Sequence, residues 1–198
     1  MKGLLATCAM SAFLLGCVSD STGNDGDNKR EHIAKAEEFI DAFYSYDADR
    51  LDASLKYAES SKPDILYYQG WAEGGNYKIV NRKPCAPVRA STIACPVTVD
   101  DDLGNALGLA FEVTDTFELT FSDGQIASVK TSSDDPPEFY AAMEWVKNNR
   151  SELVDVPCQG YFAGGPTPGA CCKGYVQGFK EFAASQESAK SGQAPTAP

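Results

Sequence analysis

The chain has 198 residues, of which 43% are hydrophobic and 23% are charged, and its formal net charge is −11. These proportions are those of a globular domain that is long enough to bury a core. A surface of this charge repels nucleic acid and anionic lipid head groups, so neither is expected as a partner.

The N-terminus carries the most specific motif in the chain. Lys2 precedes an apolar run over residues 4–15, which is too short to span a bilayer as a mature helix and is typical of a signal peptide. The run ends in Leu14-Leu15-Gly16-Cys17, which resembles the lipobox of bacterial lipoproteins. The resemblance implies that residues 1–16 are removed and that Cys17 is lipidated. An ordinary secretory signal that contains Cys17 is the alternative.

The lipid would anchor the mature chain to the membrane of the cell envelope, on the periplasmic face of the outer membrane in a Gram-negative cell. Residues 17–30 are mainly Ser, Asp, Asn and Gly, and we expect a flexible tether there.

Residues 31–46 carry apolar side chains at helical spacing, which predicts an amphipathic helix. His32, the sole histidine, is expected on the solvated start of this helix. Asp47 follows, and it can be read as a buried acid or as a helix cap. Capping of a second short helix by Asp47 or Asp49 is the better interpretation, because short polar side chains favour that position.

Strands are expected in the middle of the chain. Residues 65–71 alternate in a way that predicts a strand with Ile65, Tyr67, Gln69 and Trp71 on one face. Further strands are expected over residues 77–80, 88–93 and 95–99. Three aspartates at residues 100–102 then begin a short helix, and they lack the ligand spacing of a calcium loop.

Residues 111–132 give the clearest pattern, a β-hairpin. Phe117, Leu119 and Phe121 alternate with polar residues, as in a half-buried strand, and Asp123-Gly124 is a hairpin turn signal. Helices are expected from residue 134 and over residues 170–184. Residues 186–198 are polar and should form a disordered tail.

Five cysteines remain after Cys8 and Cys17 are set aside. Cys85 and Cys95 flank a predicted strand pair, so we expect them to form a disulfide. Cys158 should pair with one of Cys171 and Cys172. Cys171 is preferred, because Cys172 lies on the apolar stripe of the last helix. Five free thiols are the alternative.

The chain has one histidine and no Cys-x-x-Cys, so we expect no metal site, and no motif indicates a cofactor.

The order of elements resembles the nuclear-transport-factor-2-like superfamily, and most closely its SnoaL-like branch. The resemblance covers residues 31–185 and implies an α+β fold in which a curved antiparallel sheet forms a cone around the N-terminal helix, with C-terminal helices. The segments that carry it are residues 46–49, 95–108, 115–126 and 139–146.

Steroid isomerases of this superfamily use a tyrosine on the first helix and an aspartate on the first strand. Phe39 and Gln69 stand near these positions and supply neither the donor nor the base. The resemblance therefore favours a non-enzymatic, lipid-anchored domain that binds a small apolar ligand or a protein partner. The cone would be lined by the following residues: Phe43, Tyr67, Gln69, Trp71, Asp115 and Phe117.

Two other functions stay open. An isomerase, dehydratase or cyclase would use Asp115 or Asp47 as a base with a pKa raised by an apolar pocket. A structural homodimer is the third possibility, because sheets of this fold often pair. An open cavity with a buried carboxylate beside a hydroxyl would favour the enzyme, an open apolar cavity would favour binding, and a filled core would favour the scaffold.

Overall fold

The computed structural model describes residues 22–108, 112–160 and 169–191. Within these residues the chain forms six α-helices and an open, five-stranded antiparallel sheet, so the predicted α+β class is confirmed. The signal peptide and the lipidation site Cys17 lie outside the described residues. In the described part, no helix has the length and apolar character needed to cross a bilayer.

The elements in chain order are α1 (Thr22–Phe43), α2 (Ala48–Ser54), α3 (Lys62–Gly74), β1 (Lys78–Arg82), β2 (Ala86–Arg89), β3 (Thr92–Asp100), α4 (Asp102–Ala106), β4 (Val113–Ser122), β5 (Gln125–Ser133), α5 (Pro137–Asn149), a 3₁₀ turn (Ser151–Leu153) and α6 (Ala170–Ser191). The sheet order is β1-β3-β4-β5, and β2 pairs with β3.

The first helix is longer than the sequence pattern indicates. It begins at Thr22, so residues 22–30, which we assigned to the tether, are helical. This segment lacks the apolar side chains that reveal a packed helix, but it contains no proline and ends in residues with good helix propensity. The helix ends at Phe43. Asp47 accepts a hydrogen bond from the Arg50 backbone N–H at 3.1 Å, which confirms that Asp47 caps α2.

The strand predicted over residues 65–71 is wrong, because these residues lie in α3. Pro63 occupies the first turn of this helix, where its missing N–H removes no helical hydrogen bond. Neighbouring side chains such as Trp71 and Ala72 are both buried, so the helix is covered on more than one side. A helix buried in this way loses the period of 3.6, and its apolar run then resembles a buried strand.

The predicted hairpin is confirmed. β4 and β5 pair in antiparallel register, and they are joined by Asp123 and Gly124, whose φ angles of 50° and 71° suit a type I′ turn. Alternate β4 residues are buried in the core, and the others are half-buried except Ser122, which is exposed at the turn. The buried residues are Val113, Asp115, Phe117, Leu119 and Phe121.

Aromatic and charged contacts fix α1 against the sheet. The Phe43 ring lies 4.8 Å from the Phe117 ring on β4, measured between ring centroids. At the β1 edge of the sheet, Arg82 forms ion pairs with Glu37 and Asp41 of α1. The Cys85 backbone N–H also donates to the Glu37 carboxylate at 2.6 Å. These contacts hold α1 against both the middle and the edge of the sheet.

Both predicted disulfides are confirmed. Cys85 bonds to Cys95, and Cys158 bonds to Cys171. Cys172 is a buried free thiol, and burial is the main cause that raises its pKa. Residues 161–168, which come between Cys158 and Cys171 in the sequence, lie outside the described residues.

The last helix also exceeds its predicted length. α6 continues to Ser191, so residues 186–191, which we assigned to a disordered tail, are helical, and residues 192–198 lie outside the described part. α6 packs on α5 through the rings of Phe139 and Phe179, whose centroids are 5.3 Å apart. Gly174 allows α6 to approach the 3₁₀ turn, because a Cβ there would lie 2.2 Å from the Leu153 carbonyl oxygen.

Two glycine substitutions test this helical architecture. Gly174→Ala should lower the free energy of unfolding by about 1–3 kcal/mol, because the 3₁₀ turn must move away from α6.

Gly26→Ala should raise the free energy of unfolding by about 0.5–1 kcal/mol, since Gly26 is helical and open space surrounds it. Urea unfolding followed by circular dichroism measures both. A Gly26→Ala chain that gains no stability would contradict helical structure in residues 22–30.

Candidate ligand-binding site

An open cavity of about 250 Å³ lies between α3, the end of β5 and the start of α5. Its size is close to the lower limit of typical ligand pockets, which suits a small molecule. Among the described residues that line it, half are aromatic, three are serine or threonine and one is a carboxylate. The lining residues are Tyr68, Trp71, Tyr77, Thr131, Ser132, Ser133, Asp135, Phe139, Tyr140 and Met143.

The inner wall of the cavity is held by contacts among aromatic residues. Tyr68 and Trp71 are three residues apart on α3 and therefore share one face of the helix. The Trp71 indole N–H donates to the Tyr77 hydroxyl at 3.3 Å, and the Trp71 ring lies 5.6 Å from the Tyr175 ring. This wall is fixed before any ligand binds.

The outer wall comes from the first turns of α5. The Phe139 ring packs edge-on against the Tyr140 ring at 5.6 Å, and Phe139 is anchored on α6. Tyr140 is 56% exposed, so it stands at the mouth of the cavity. The two walls thus present aromatic surface from both sides.

Asp115 lies behind the cavity, in the protein core. It is 1% exposed and sits directly opposite Ser133 in the β4–β5 pairing. Three hydroxyl groups donate to the Asp115 carboxylate. The Ser133 hydroxyl lies 2.5 Å from it and the Tyr44 hydroxyl 3.4 Å, and the third donor is the Tyr68 hydroxyl. Burial raises the pKa of Asp115, and these three donors act against that rise. The Asp115 carboxylate is therefore hydrogen-bonded to groups of the fold.

Asp135 is the carboxylate in the cavity wall. The Tyr140 hydroxyl donates to it at 3.4 Å. Burial, followed by the negative charges of Asp115 and Asp101, raises the pKa of Asp135 to about 6. Asp135 therefore changes charge within the range in which many proteins operate.

The residues that we expected to line a cone are spread over several places. Trp71 lines the cavity, while Phe43 and Phe117 are fully buried and pack against each other in the core. The Tyr67 hydroxyl contacts the sulfur of Cys171 at 3.6 Å on the α6 side. His32 is also less solvated than expected, because its ring stacks on Phe121 at 4.2 Å.

Gln69 has a structural contact that the sequence did not suggest. It lies on a helix, so its alignment with an aspartate on a first strand is wrong. Its side-chain N–H group donates to the backbone carbonyls of Ala42 and Phe43 at 3.1 and 2.9 Å. These carbonyls end α1, where the regular helical hydrogen bonds stop, and they also accept from the backbone N–H groups of Ser45 and Tyr46 in the turn that follows. Gln69 therefore caps the C-terminus of α1.

Sequence reasoning missed the residues of the outer wall. All four belong to the segment from residue 134 in which we expected only a helix, and they are Asp135, Phe139, Tyr140 and Met143. The available signal was an acid placed just before a proline-initiated helix whose first turn carries two aromatic residues.

Comparison of the chain with family models, with curated proteins and with solved structures found no match.

The raised pKa of Asp135 predicts how stability depends on pH. Because its pKa in the folded chain exceeds the ordinary value of 3.8, the folded state binds the proton more tightly, and the free energy of unfolding should fall as the pH rises from about 4 to 6. Asp135→Asn should make this fall shallower. It should not abolish it, because burial also raises the pKa of Asp101 and Asp115.

Urea unfolding at several pH values from 4 to 7 measures this slope. Asp123→Asn is the matched control, since it removes an exposed carboxylate at the hairpin turn and leaves the cavity intact. The control should keep the slope of the unchanged chain. Identical slopes for Asp135→Asn and the unchanged chain would contradict the burial of this carboxylate.

Proposed function

We propose that the chain is a lipid-anchored domain of the cell envelope that binds a small, largely apolar ligand without converting it. The observation that carries this proposal is the open cavity with aromatic walls between α3, β5 and α5. Aromatic walls with a few polar groups are the usual composition of small-molecule sites. The lipobox-like motif that ends in Cys17 supports the location.

We further infer that the sheet curves as a cone around α1, as the nuclear-transport-factor-2-like resemblance implies. The packing of Phe39 and Phe43 on Phe117 supports this arrangement, because it places the face of α1 on the middle of the sheet. The cavity would then open beside α1, at the end of the sheet where β5 leads into α5.

An acid–base enzyme is the second candidate, and Asp135 is the observation that favours it. Asp47 caps α2 and Asp115 accepts hydrogen bonds within the core, so neither is placed to take a proton from a ligand in the cavity. Asp135 lines the cavity, and its pKa of about 6 suits a general base. Isomerisation or dehydration of a small hydrophobic substrate that is lost in Asp135→Asn would make this the better proposal.

A cavity-filling substitution tests the binding proposal. Thr131→Trp at the exposed end of β5 should occupy the cavity and abolish retention of a small molecule by the purified protein. Lys130→Trp is the control, because Lys130 does not line the cavity. It pairs with Glu118 on β4, whereas Thr131 pairs with the buried Phe117, so the two side chains lie on opposite faces of the sheet. Native mass spectrometry should show a bound mass in the unchanged chain and in the control. A bound mass that survives Thr131→Trp would place the ligand elsewhere.

Lipidation can be tested in cells by metabolic labelling. Cys17→Ser should abolish incorporation of a labelled fatty acid, because the thiol that accepts the lipid is missing. Cys8→Ser is the matched control and should remain labelled, since Cys8 lies in the segment that is removed. Equal labelling of the two variants would refute the lipoprotein assignment.

A further inference from the structure

We propose that the ligand of this cavity is a small organic cation, such as a quaternary ammonium compound or a protonated amine. Its cationic group would lie against the aromatic walls and face the carboxylate of Asp135. This inference rests on the proposed binding function and specifies the chemistry of its ligand.

The first support is the composition of the walls. The faces of tryptophan and tyrosine rings carry negative electrostatic potential and attract cations, with tryptophan the most effective. Trp71 and Tyr77 form the inner wall and are joined by a hydrogen bond, while Phe139 and Tyr140 form the outer wall. Rings on two sides of a small cavity can contact a trimethylammonium group over much of its surface.

The second support is the charge around the cavity. Among the residues that line it, the charged side chain is Asp135, and none is basic. Asp101 and Asp115 add negative charge close enough to raise the pKa of Asp135. In the described part of the chain, none of these three carboxylates forms an ion pair with Lys or Arg. The cavity therefore has a negative potential that the fold does not neutralise locally.

This charge discriminates among classes of ligand. An anion would be repelled by the carboxylates. A neutral apolar ligand without a hydrogen-bond donor would remove water from Asp135 without offering it a partner, which is unfavourable. A cation replaces the lost water with an attractive charge, and it gains from the aromatic faces at the same time. Among these three classes, only a cation satisfies both features of the cavity.

A matched pair of probes isolates the contribution of charge. Choline and 3,3-dimethylbutan-1-ol have nearly the same shape, but only choline carries a positive charge. Titration of the purified protein with each, followed by NMR of the tryptophan indole N–H signals, should show choline binding about tenfold more tightly. The Trp71 signal should shift, whereas the signal of Trp145, which lies outside the cavity, should stay in place.

Variants assign the effect to the cavity. Asp135→Asn should weaken choline binding about tenfold, because the attraction between opposite charges is lost, and leave 3,3-dimethylbutan-1-ol unaffected. Glu138→Gln, which removes the same charge from an exposed position outside the cavity, should change neither affinity. Tyr140 is largely exposed, so its substitution should not affect folding: Tyr140→Leu should weaken choline binding, and Tyr140→Phe should retain it.

The possible failures are distinguishable. Equal affinity for the two probes would overturn the cation inference and leave the binding function standing. The same holds if neither probe shifts the Trp71 signal while native mass spectrometry still shows a bound mass that Thr131→Trp removes. If that mass is absent as well, both the inference and the proposed function fail.

Discussion

The buried carboxylate of Asp115 is the interaction on which the arrangement of this fold depends. A carboxylate in the core is unfavourable unless hydrogen-bond donors surround it. The donors come from three elements: Tyr44 follows α1, Tyr68 belongs to α3 and Ser133 ends β5. Each donates a hydrogen bond from its hydroxyl group to Asp115 on β4. Four separate parts of the chain must therefore meet at one point. Because Tyr68 and Ser133 also line the cavity, the same network sets the position of its inner wall.

The hairpin that contains Asp115 could be predicted from the sequence because its signals are local. Strict alternation and an Asp-Gly turn define β4 and β5, and the spacing of cysteines correctly paired Cys85 with Cys95. The short helix after Asp47 could be predicted for the same reason, because a helix cap involves residues within a single turn of the chain.

The third helix could not be identified in this way, and the error carried over to the site. α3 is covered on several sides, so tertiary packing removes the amphipathic pattern that distinguishes a helix from a strand. Taking residues 65–71 as a strand placed Gln69 in a pocket and separated Trp71 from Tyr68. In the structure Tyr68 and Trp71 form one wall, and Gln69 caps α1. The cavity itself depends on contacts between distant segments, which no local pattern contains.

The hydrogen bonds of three aspartates explain why one of them is left to face the cavity. Asp101 is satisfied by the backbone N–H groups of Leu103 and Gly104 at the start of α4. Asp115 is satisfied by the hydroxyl groups of Tyr44, Tyr68 and Ser133. Asp135 has one long hydrogen bond from Tyr140, so its carboxylate retains the capacity to accept another partner. The other two charges are fixed in place and cannot move towards a ligand, yet they increase the negative potential at Asp135. The fold thus presents one half-buried acid to the cavity, and the charges of two buried acids act on it, which favours a positively charged partner in the cavity.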